Sequence, residues 1–188
     1  MKKLMNASFK YIVILIFSLI TSLSYADKRI SLLKITGKVQ ISSDMKIWVD
    51  VKKPQKIENK TWLKTGKSGS VVLVLPDRTQ TKVTRNSTLF LEKKPKKKQT
   101  INLKLGKIWA KTNKIPVKIS LKSPNAVASI RGTEWVSEVK ADGSSVIALL
   151  EGKVSIASNN NKNIDLNSGS VANIDEKGSM SQTKIINT

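Results

Sequence analysis

The reactive side chains of this sequence are carboxylates, lysines, arginines and hydroxyls, because the chain contains no cysteine and no histidine. Without cysteine there is no disulfide, no thiol nucleophile and no Cys-based zinc or iron–sulfur site. Without histidine there is no Ser–His couple and no His-ligated metal or haem. Glu134, Glu151 and Asp77 could form a general-acid pair, but nothing in their spacing supports such a pair over solvated or ion-paired surface carboxylates. We therefore expect a protein that is not an enzyme and that uses no metal and no cofactor.

Arg131 is the sharpest candidate for a binding residue. It precedes Gly132, which permits a bend with positive φ or a close backbone approach. One hypothesis is that Arg131, together with Glu134 and Trp135, binds an anionic ligand. The other, which we favour, is that its guanidinium pairs with Glu134 or Glu151 and ties two strands together.

The four tryptophans could form a stacking platform for glycans. Tryptophans in β proteins more often fill the core or cap its end, so we expect a core role. The residues concerned are Trp48, Trp62, Trp109 and Trp135.

The charge is strongly positive and unevenly distributed. The net charge is +21, and residues 27–122 hold 25 basic and only 6 acidic residues. Thirty of the basic residues of the whole chain are lysines and four are arginines, whereas forked recognition of phosphate and guanine favours arginine. We therefore expect no nucleic-acid partner. The densest basic run is interpreted as a solvated loop, with contact to an anionic envelope polymer or lipid headgroups as the alternative, and it comprises Lys93, Lys94, Lys96, Lys97 and Lys98.

The N-terminus is typical of a secretory signal peptide. Three lysines are followed by residues 11–23, a run of 13 positions without a charge. A transmembrane helix needs about 20 apolar residues, so this run is short. Ser24 and Ala26 supply the small residues of a cleavage site, which we expect after Ala26. The mature protein is therefore expected in the periplasm or secreted, without a membrane span; an uncleaved N-terminal anchor is the alternative.

The remaining sequence predicts β-strands. Apolar residues alternate with polar ones in several segments, such as residues 101–105, 117–122 and 153–156. Two continuous apolar runs, residues 71–75 and 146–150, favour strands that are covered on both faces. Asp142 and Gly143 lie between two such runs and predict a hairpin. We expect about 10–14 short strands and a loosely ordered tail over residues 177–188.

A triplet of glycine, lysine and a β-branched residue occurs three times without a fixed period. Each glycine would allow a tight corner, and the lysine would be the first outward residue of the strand that follows. Such corners are typical of a β-helix, a solenoid or two stacked sheets. The triplets begin at Gly37, Gly106 and Gly152.

Residues 123–154 resemble the FecR-type domain, which is named after the periplasmic part of the iron-dicitrate regulator. The matching positions are Pro124, Ala126, Arg131, Gly132, Thr133, Glu134, Trp135, Asp142, Gly143, Glu151, Gly152 and Val154. Upstream, residues 63–66 followed by 69–77 are similar to the family's turn-and-strand element. The resemblance extends over about residues 32–175, so we expect a FecR-type β domain over residues 27–176.

This resemblance implies an all-β envelope module, β-helix-like, solenoid-like or built from two stacked sheets, behind a cleaved helical signal peptide. In the founding regulators, a sigma-factor-binding segment and a transmembrane helix precede the domain. A leader stands in that place here, so the resemblance is to a free-standing exported member.

Two function classes remain open. The first is a binding or scaffold module whose partner is an envelope protein or an anionic envelope polymer. The second is a signalling component that relays ligand occupancy to a membrane partner.

Overall fold

The computed structural model describes residues 29–94, 98–112 and 118–184. The expected signal peptide and its cleavage after Ala26 lie outside the described residues. Within these ranges the regular structure is all strand, which confirms the all-β prediction, and the 15 strands slightly exceed the expected number. They are β1 Ile30–Thr36, β2 Val39–Ser42, β3 Val49–Asp50, β4 Gln55–Ile57, β5 Thr61–Thr65, β6 Ser70–Val74, β7 Gln80–Val83, β8 Thr88–Lys94, β9 Lys98–Lys111, β10 Lys118–Lys122, β11 Ala126–Val139, β12 Ser145–Ser158, β13 Asn163–Asn167, β14 Ser170–Ile174 and β15 Met180–Lys184.

The strands form one open hydrogen-bonded sheet with two halves. Half A runs in the order β4, β1, β6, β7, the end of β9, the end of β11, the start of β12, β14 and β15. Half B runs in the order β3, β2, β5, β8, the start of β9, β10, the start of β11, the end of β12 and β13. The three 14-residue strands β9, β11 and β12 belong to both halves and join them.

Each long strand shifts its pattern of buried side chains by one residue at a glycine. In β9, Ile101 and Leu103 are buried before Gly106, and Ile108 and Ala110 are buried after it. A shift of one residue would normally turn the apolar side chains outward. The glycine has a positive φ, which lets the strand bend and keep its apolar side chains on the core. The three glycines are Gly106 (φ 92°), Gly132 (φ 62°) and Gly152 (φ 99°).

The glycine-lysine triplets occupy such bends, as the sequence predicted. Lys107 and Lys153 are exposed directly after the glycines of β9 and β12, and Ile108 and Val154 are buried next. The third triplet, at Gly37, connects β1 to β2 with a positive φ of 60°. The inward side chains of both halves form a single hydrophobic cluster, so the two halves share one core.

The two continuous apolar runs differ from the expectation of strands covered on both faces. In β6, Val71 and Leu73 are buried, whereas Val72 and Val74 are only half-buried. In β12, residues 145–149 alternate in the same way, and Leu150 is exposed. One face of each strand therefore packs on the core, and the outer face of half A keeps its apolar residues in partial contact with solvent.

The structure confirms the hairpin at Asp142 and Gly143, which connects β11 to β12. It corrects the expectation for the tail, because residues 180–184 form the edge strand β15 with five residue pairs to β14. The backbone pairing holds this part of the tail, although Met180 is only half-buried and the other four side chains are exposed. Residues 185–188 lie outside the described part of the chain.

Candidate functional site

A row of apolar side chains crosses the outer surface of half A. Trp109 of β9 lies opposite Val136 of β11. Val136 lies opposite Ala148 of β12, which in turn lies opposite Val171 of β14. Residues directly opposite each other in a sheet share a face, and all four of these are half-buried. The row is therefore an apolar strip that spans four neighbouring strands and remains open to solvent.

Two ion pairs border this strip on β9 and β11. Nζ of Lys111 lies 2.7 Å from Oε2 of Glu134, and Nζ of Lys107 lies 2.7 Å from Oε2 of Glu138. The pairs follow from the strand register, which sets Lys111 opposite Glu134 and Lys107 opposite Glu138. We call the four apolar residues and these two ion pairs the Trp109 face.

Glu134 connects the ion pairs to the apolar strip. Its Oε1 accepts a 3.0 Å hydrogen bond from Nε1 of Trp109, while its Oε2 accepts one from Lys111. The hydrogen bond from Lys111 lowers the pKa of Glu134, and the bond from Trp109 lowers it further, although desolvation acts against them. The hydrogen bond to Glu134 in turn raises the pKa of Lys111. Both groups are therefore charged at neutral pH, and together they hold the indole ring in one orientation.

The bend in β11 sets the direction of Glu134. The register between β11 and β12 shifts on both sides of this residue. Thr133 donates its backbone N–H to Oγ1 of Thr112 at 2.6 Å, and Thr112 donates its own N–H to the carbonyl oxygen of Thr133 at 2.9 Å. These bonds fix the corner after Gly132 and turn the following side chain outward.

The three ligand-binding residues suggested by the sequence do not converge. Arg131 is exposed before the bend and lies opposite Lys153. Glu134 faces Lys111 on the outside of half A, and Trp135 is completely buried in the core. Within the described ranges, Nε1 of Trp135 has no hydrogen-bond partner.

The favoured ion pair of Arg131 with Glu134 or Glu151 is not formed. Among the described residues no ion pair involves Arg131, and the carboxylate of Glu134 is already bonded to Lys111 and Trp109. The cause is the bend at Gly132, which directs Arg131 and Glu134 toward different halves of the sheet.

The core role expected for the tryptophans is confirmed only for Trp135. Trp48, Trp62 and Trp109 are half-buried. Trp62 packs against Phe90 on half B with ring centroids 4.9 Å apart, and Trp48 lies 5.7 Å from the ammonium of Lys64. The three partly exposed rings lie on different halves and do not form one stacking platform.

The basic run at residues 93–98 falls partly outside the described part of the chain. The backbones of Lys93, Lys94 and Lys98 belong to the ends of β8 and β9, and Lys96 and Lys97 are not described.

A second basic region appears in a groove of about 760 Å³ beside the bend of β9. Its four cationic residues, Lys67, Lys82, Arg85 and Lys107, come from separate segments, so a search for charge runs could not find them. Glu138 is the acidic residue among those that line it, and it is bonded to Lys107.

The carboxylates do not form an acid–base pair. Glu134 and Glu151 lie opposite each other on β11 and β12, whereas Asp77 lies in the turn between β6 and β7. A general acid needs a raised pKa, but the pKa of Glu134 is lowered by Lys111. In the described ranges no three His, Cys, Asp or Glu side chains are grouped to hold a metal ion. No helix in those ranges could cross a membrane.

Comparisons with known proteins identify the family. Two crystal structures of a candidate anti-sigma factor from Parabacteroides distasonis share the fold, each with a TM-score of 0.58 and 10% sequence identity. Each match covers 65% of this chain and 59% of that protein, so this chain spans less than two thirds of its length. No curated protein matches the sequence. The family model described as FecR protein matches residues 61–155, slightly more than half of the chain, from β5 into β12. This match confirms the resemblance seen in the sequence, and the chain belongs to the FecR protein family.

Proposed function

We propose that this protein is a non-catalytic signalling component of the cell envelope, which relays the occupancy of a ligand or receptor to a membrane partner. The observation that carries the proposal is the Trp109 face, because most of it lies inside the region that matches the FecR family. The likeness of the fold to a candidate anti-sigma factor also supports a regulatory role. In this proposal the chain is exported, and residues 1–26 are removed as a signal peptide.

The Trp109 face has the composition of a protein-binding surface. Interfaces combine an apolar centre with a polar rim, and tryptophan is among the residues most often found at their energetic centre. Here the row from Trp109 to Val171 forms the centre, and the pairs Lys111–Glu134 and Lys107–Glu138 form the rim. A partner that covered the strip would bury apolar area that folding leaves exposed.

Cross-linking can test this face directly. A photoreactive amino acid at Val136 is expected to capture a membrane protein in intact cells, because Val136 lies at the centre of the strip. The matched control is the same probe at Ser129, which is exposed on half B of the same strand. Capture at both positions, or at neither, would contradict the proposal.

A charge substitution gives a second readout. Val136→Lys places an ammonium in the apolar strip and is expected to abolish capture of the partner, whereas Ser129→Lys is expected to leave it intact. Both variants change exposed or half-buried positions, so both should fold. The unfolding midpoint of each purified variant checks that loss of capture does not come from loss of the fold.

The basic groove favours a second candidate function, which is binding to an anionic envelope polymer. The groove contains four cationic residues and one acidic residue. We expect retention on peptidoglycan that falls with moderate salt, because exposed charges are screened over about 10 Å at 0.1 M salt. Replacing Lys67, Lys82 and Arg85 by glutamine should remove this retention. The control replaces Lys140, Lys153 and Lys162, which lie outside the groove, and equal loss in both variants would indicate nonspecific charge binding.

A further inference from the structure

The loop between β2 and β3, together with the first residue of β3, holds three large apolar side chains in solvent. Met45 is 47% exposed, Ile47 is 72% exposed and Val49 is 58% exposed. Half of the large, exposed hydrophobic residues in the described ranges lie within these five positions. Exposed apolar residues that occur singly need no explanation, but a concentrated group marks an interaction site.

Hydrogen bonds fix the loop in the conformation that exposes these side chains. Oγ of Ser42 accepts a 2.9 Å hydrogen bond from the backbone N–H of Met45. Oδ1 of Asp44 accepts from the N–H groups of Lys46 at 2.8 Å and Ile47 at 3.1 Å. The indole Nε1 of Trp48 donates to the carbonyl oxygen of Met45 at 3.0 Å. The exposure is therefore a property of an ordered loop and does not come from a loose chain.

The lysines around the loop favour binding to an anionic surface. Lys46 lies between the exposed residues Met45 and Ile47, and Lys52 and Lys53 follow Val49 within about 11–14 Å of extended chain. All three lysines are exposed.

The two acidic residues of this region accept hydrogen bonds within the protein, and together with the three lysines they leave residues 44–53 with a formal net charge of +1. Asp44 accepts backbone hydrogen bonds, which lower its pKa, and Asp50 accepts a 2.8 Å hydrogen bond from Nε2 of Gln40.

We propose that the β2–β3 loop docks this protein on the surface of an anionic lipid membrane. Met45, Ile47 and Val49 enter the boundary between headgroups and acyl chains, and the neighbouring lysines contact the lipid phosphates. The strength of such membrane binding scales with the apolar area inserted and with the attraction to anionic lipids, whereas a stable protein interface needs about 800 Å² from each partner. This loop lies on half B, away from the Trp109 face, so the proposal goes beyond the signalling role and does not depend on it.

A fluorescent label at a single cysteine tests the proposal, because the chain has no cysteine of its own. The full chain carrying Ile47→Cys is labelled with a polarity-sensitive dye and mixed with phosphatidylglycerol–phosphatidylcholine vesicles. The matched control is Lys162→Cys, which places the dye on the exposed β12–β13 loop at the other edge of half B. The readout is local to the dye, so it does not depend on membrane contacts made by other parts of the chain.

The expected result is a rise and blue shift of emission at position 47 with the anionic vesicles, and no change at position 162. Lys46→Gln should weaken the apparent affinity about fivefold, since each lysine near an anionic surface contributes about 1 kcal/mol of binding free energy. Val136→Lys should leave the signal unchanged even if it abolishes capture of the signalling partner.

Four outcomes would overturn the proposal. One is the absence of a response at position 47, and another is an equal response at position 162. The third is an equal response with vesicles of phosphatidylcholine alone, since the lysines would then contribute nothing. A response that appears only with envelope proteins, and not with protein-free vesicles, would assign the loop to a protein partner and would also overturn it.

Discussion

The indole of Trp109 is hydrogen-bonded to the carboxylate of Glu134 across β9 and β11, with 3.0 Å between Nε1 and Oε1. The two residues are not directly opposite each other, because Trp109 lies opposite Val136 and Glu134 lies opposite Lys111. Glu134 thus reaches along the sheet and accepts a hydrogen bond from the indole ring of Trp109, which belongs to the neighbouring pair of opposed residues. This contact connects the charged rim of the Trp109 face to its apolar centre.

Removing the Glu134 carboxylate should cost measurable stability. Glu134→Ala leaves Nε1 of Trp109 and Nζ of Lys111 without this acceptor, and we expect a loss of about 1–2 kcal/mol in the free energy of unfolding. The control is Glu138→Ala, which removes an exposed ion pair with Lys107 and should cost about 0.5 kcal/mol or less. Urea denaturation of both variants measures the difference, and equal losses would show that the bond to Trp109 contributes nothing.

The glycine at the bend of β9 should not tolerate a side chain. A Cβ on Gly106 would lie 2.2 Å from Oγ and 2.5 Å from Cα of Ser87, and its φ of 92° is unfavourable for other residues. We expect Gly106→Ala to destabilise the fold by about 3 kcal/mol or more, from backbone strain and steric overlap together.

Gly169 provides the matched control, because it also has a positive φ but its Cβ would meet nothing within 4 Å. Gly169→Ala should therefore cost only the backbone strain of about 1–2 kcal/mol. Thermal unfolding of the two variants separates the cost of the steric overlap with Ser87 from the cost of the backbone strain. Similar melting temperatures would mean that the contact with Ser87 relaxes without cost.

Arg131 should contribute little to stability. It is exposed and forms no ion pair within the described ranges, so Arg131→Lys and Arg131→Ala should each change the free energy of unfolding by about 0.5 kcal/mol or less. The contrasting variant is Trp135→Ala, which empties a fully buried site and should cost about 3–5 kcal/mol. A large loss with Arg131→Lys would restore the ion-pair interpretation.

Stability should fall in acid. Hydrogen bonds lower the pKa values of four carboxyl groups below their usual 3.8 for Asp and 4.5 for Glu. At pH values near and below these usual values, the unfolded chain therefore binds more protons than the folded chain. Their contribution is complete above the unfolded values and is lost as the pH falls through the lower folded values. The groups are Asp44, Asp142, Asp175 and Glu134.

Urea midpoints measured from pH 7 to pH 2 check this expectation. The midpoint should change little down to about pH 5 and then decline. Asp175→Ala removes one group whose carboxylate is stabilised chiefly by the N–H of Ser179, and it should reduce the acid-induced change. A midpoint that rises below pH 5 would contradict the assignment.

The composition and the period-two pattern of the chain predicted an all-β protein and excluded chemistry that depends on thiols or imidazoles. The hairpin at Asp142 and the corners at Gly106 and Gly152 can be predicted from the sequence, because turns depend on local backbone geometry. The family was also readable, because its most specific motif lies in one continuous stretch, residues 123–154.

The candidate site was harder to predict because it depends on strand register. The sequence groups Glu134 with its neighbours Arg131 and Trp135, whereas its partners in the fold are Lys111 and Trp109, more than 20 residues away. The alternation over residues 101–105 predicts Leu105 on the same buried face as Ile101 and Leu103, but Leu105 is 38% exposed beside the bend at Gly106.

The fold class and its corners follow from local features of the sequence, since the period of two and the positive-φ glycines act on the residues nearest to them. The pairing of distant strands, the joining of two halves around one core by β9, β11 and β12, and the apolar strip on the outer side of half A all depend on the tertiary structure. The physical reason is that strand pairing joins residues far apart in the chain, and a shift of one residue reverses which side chains reach the core.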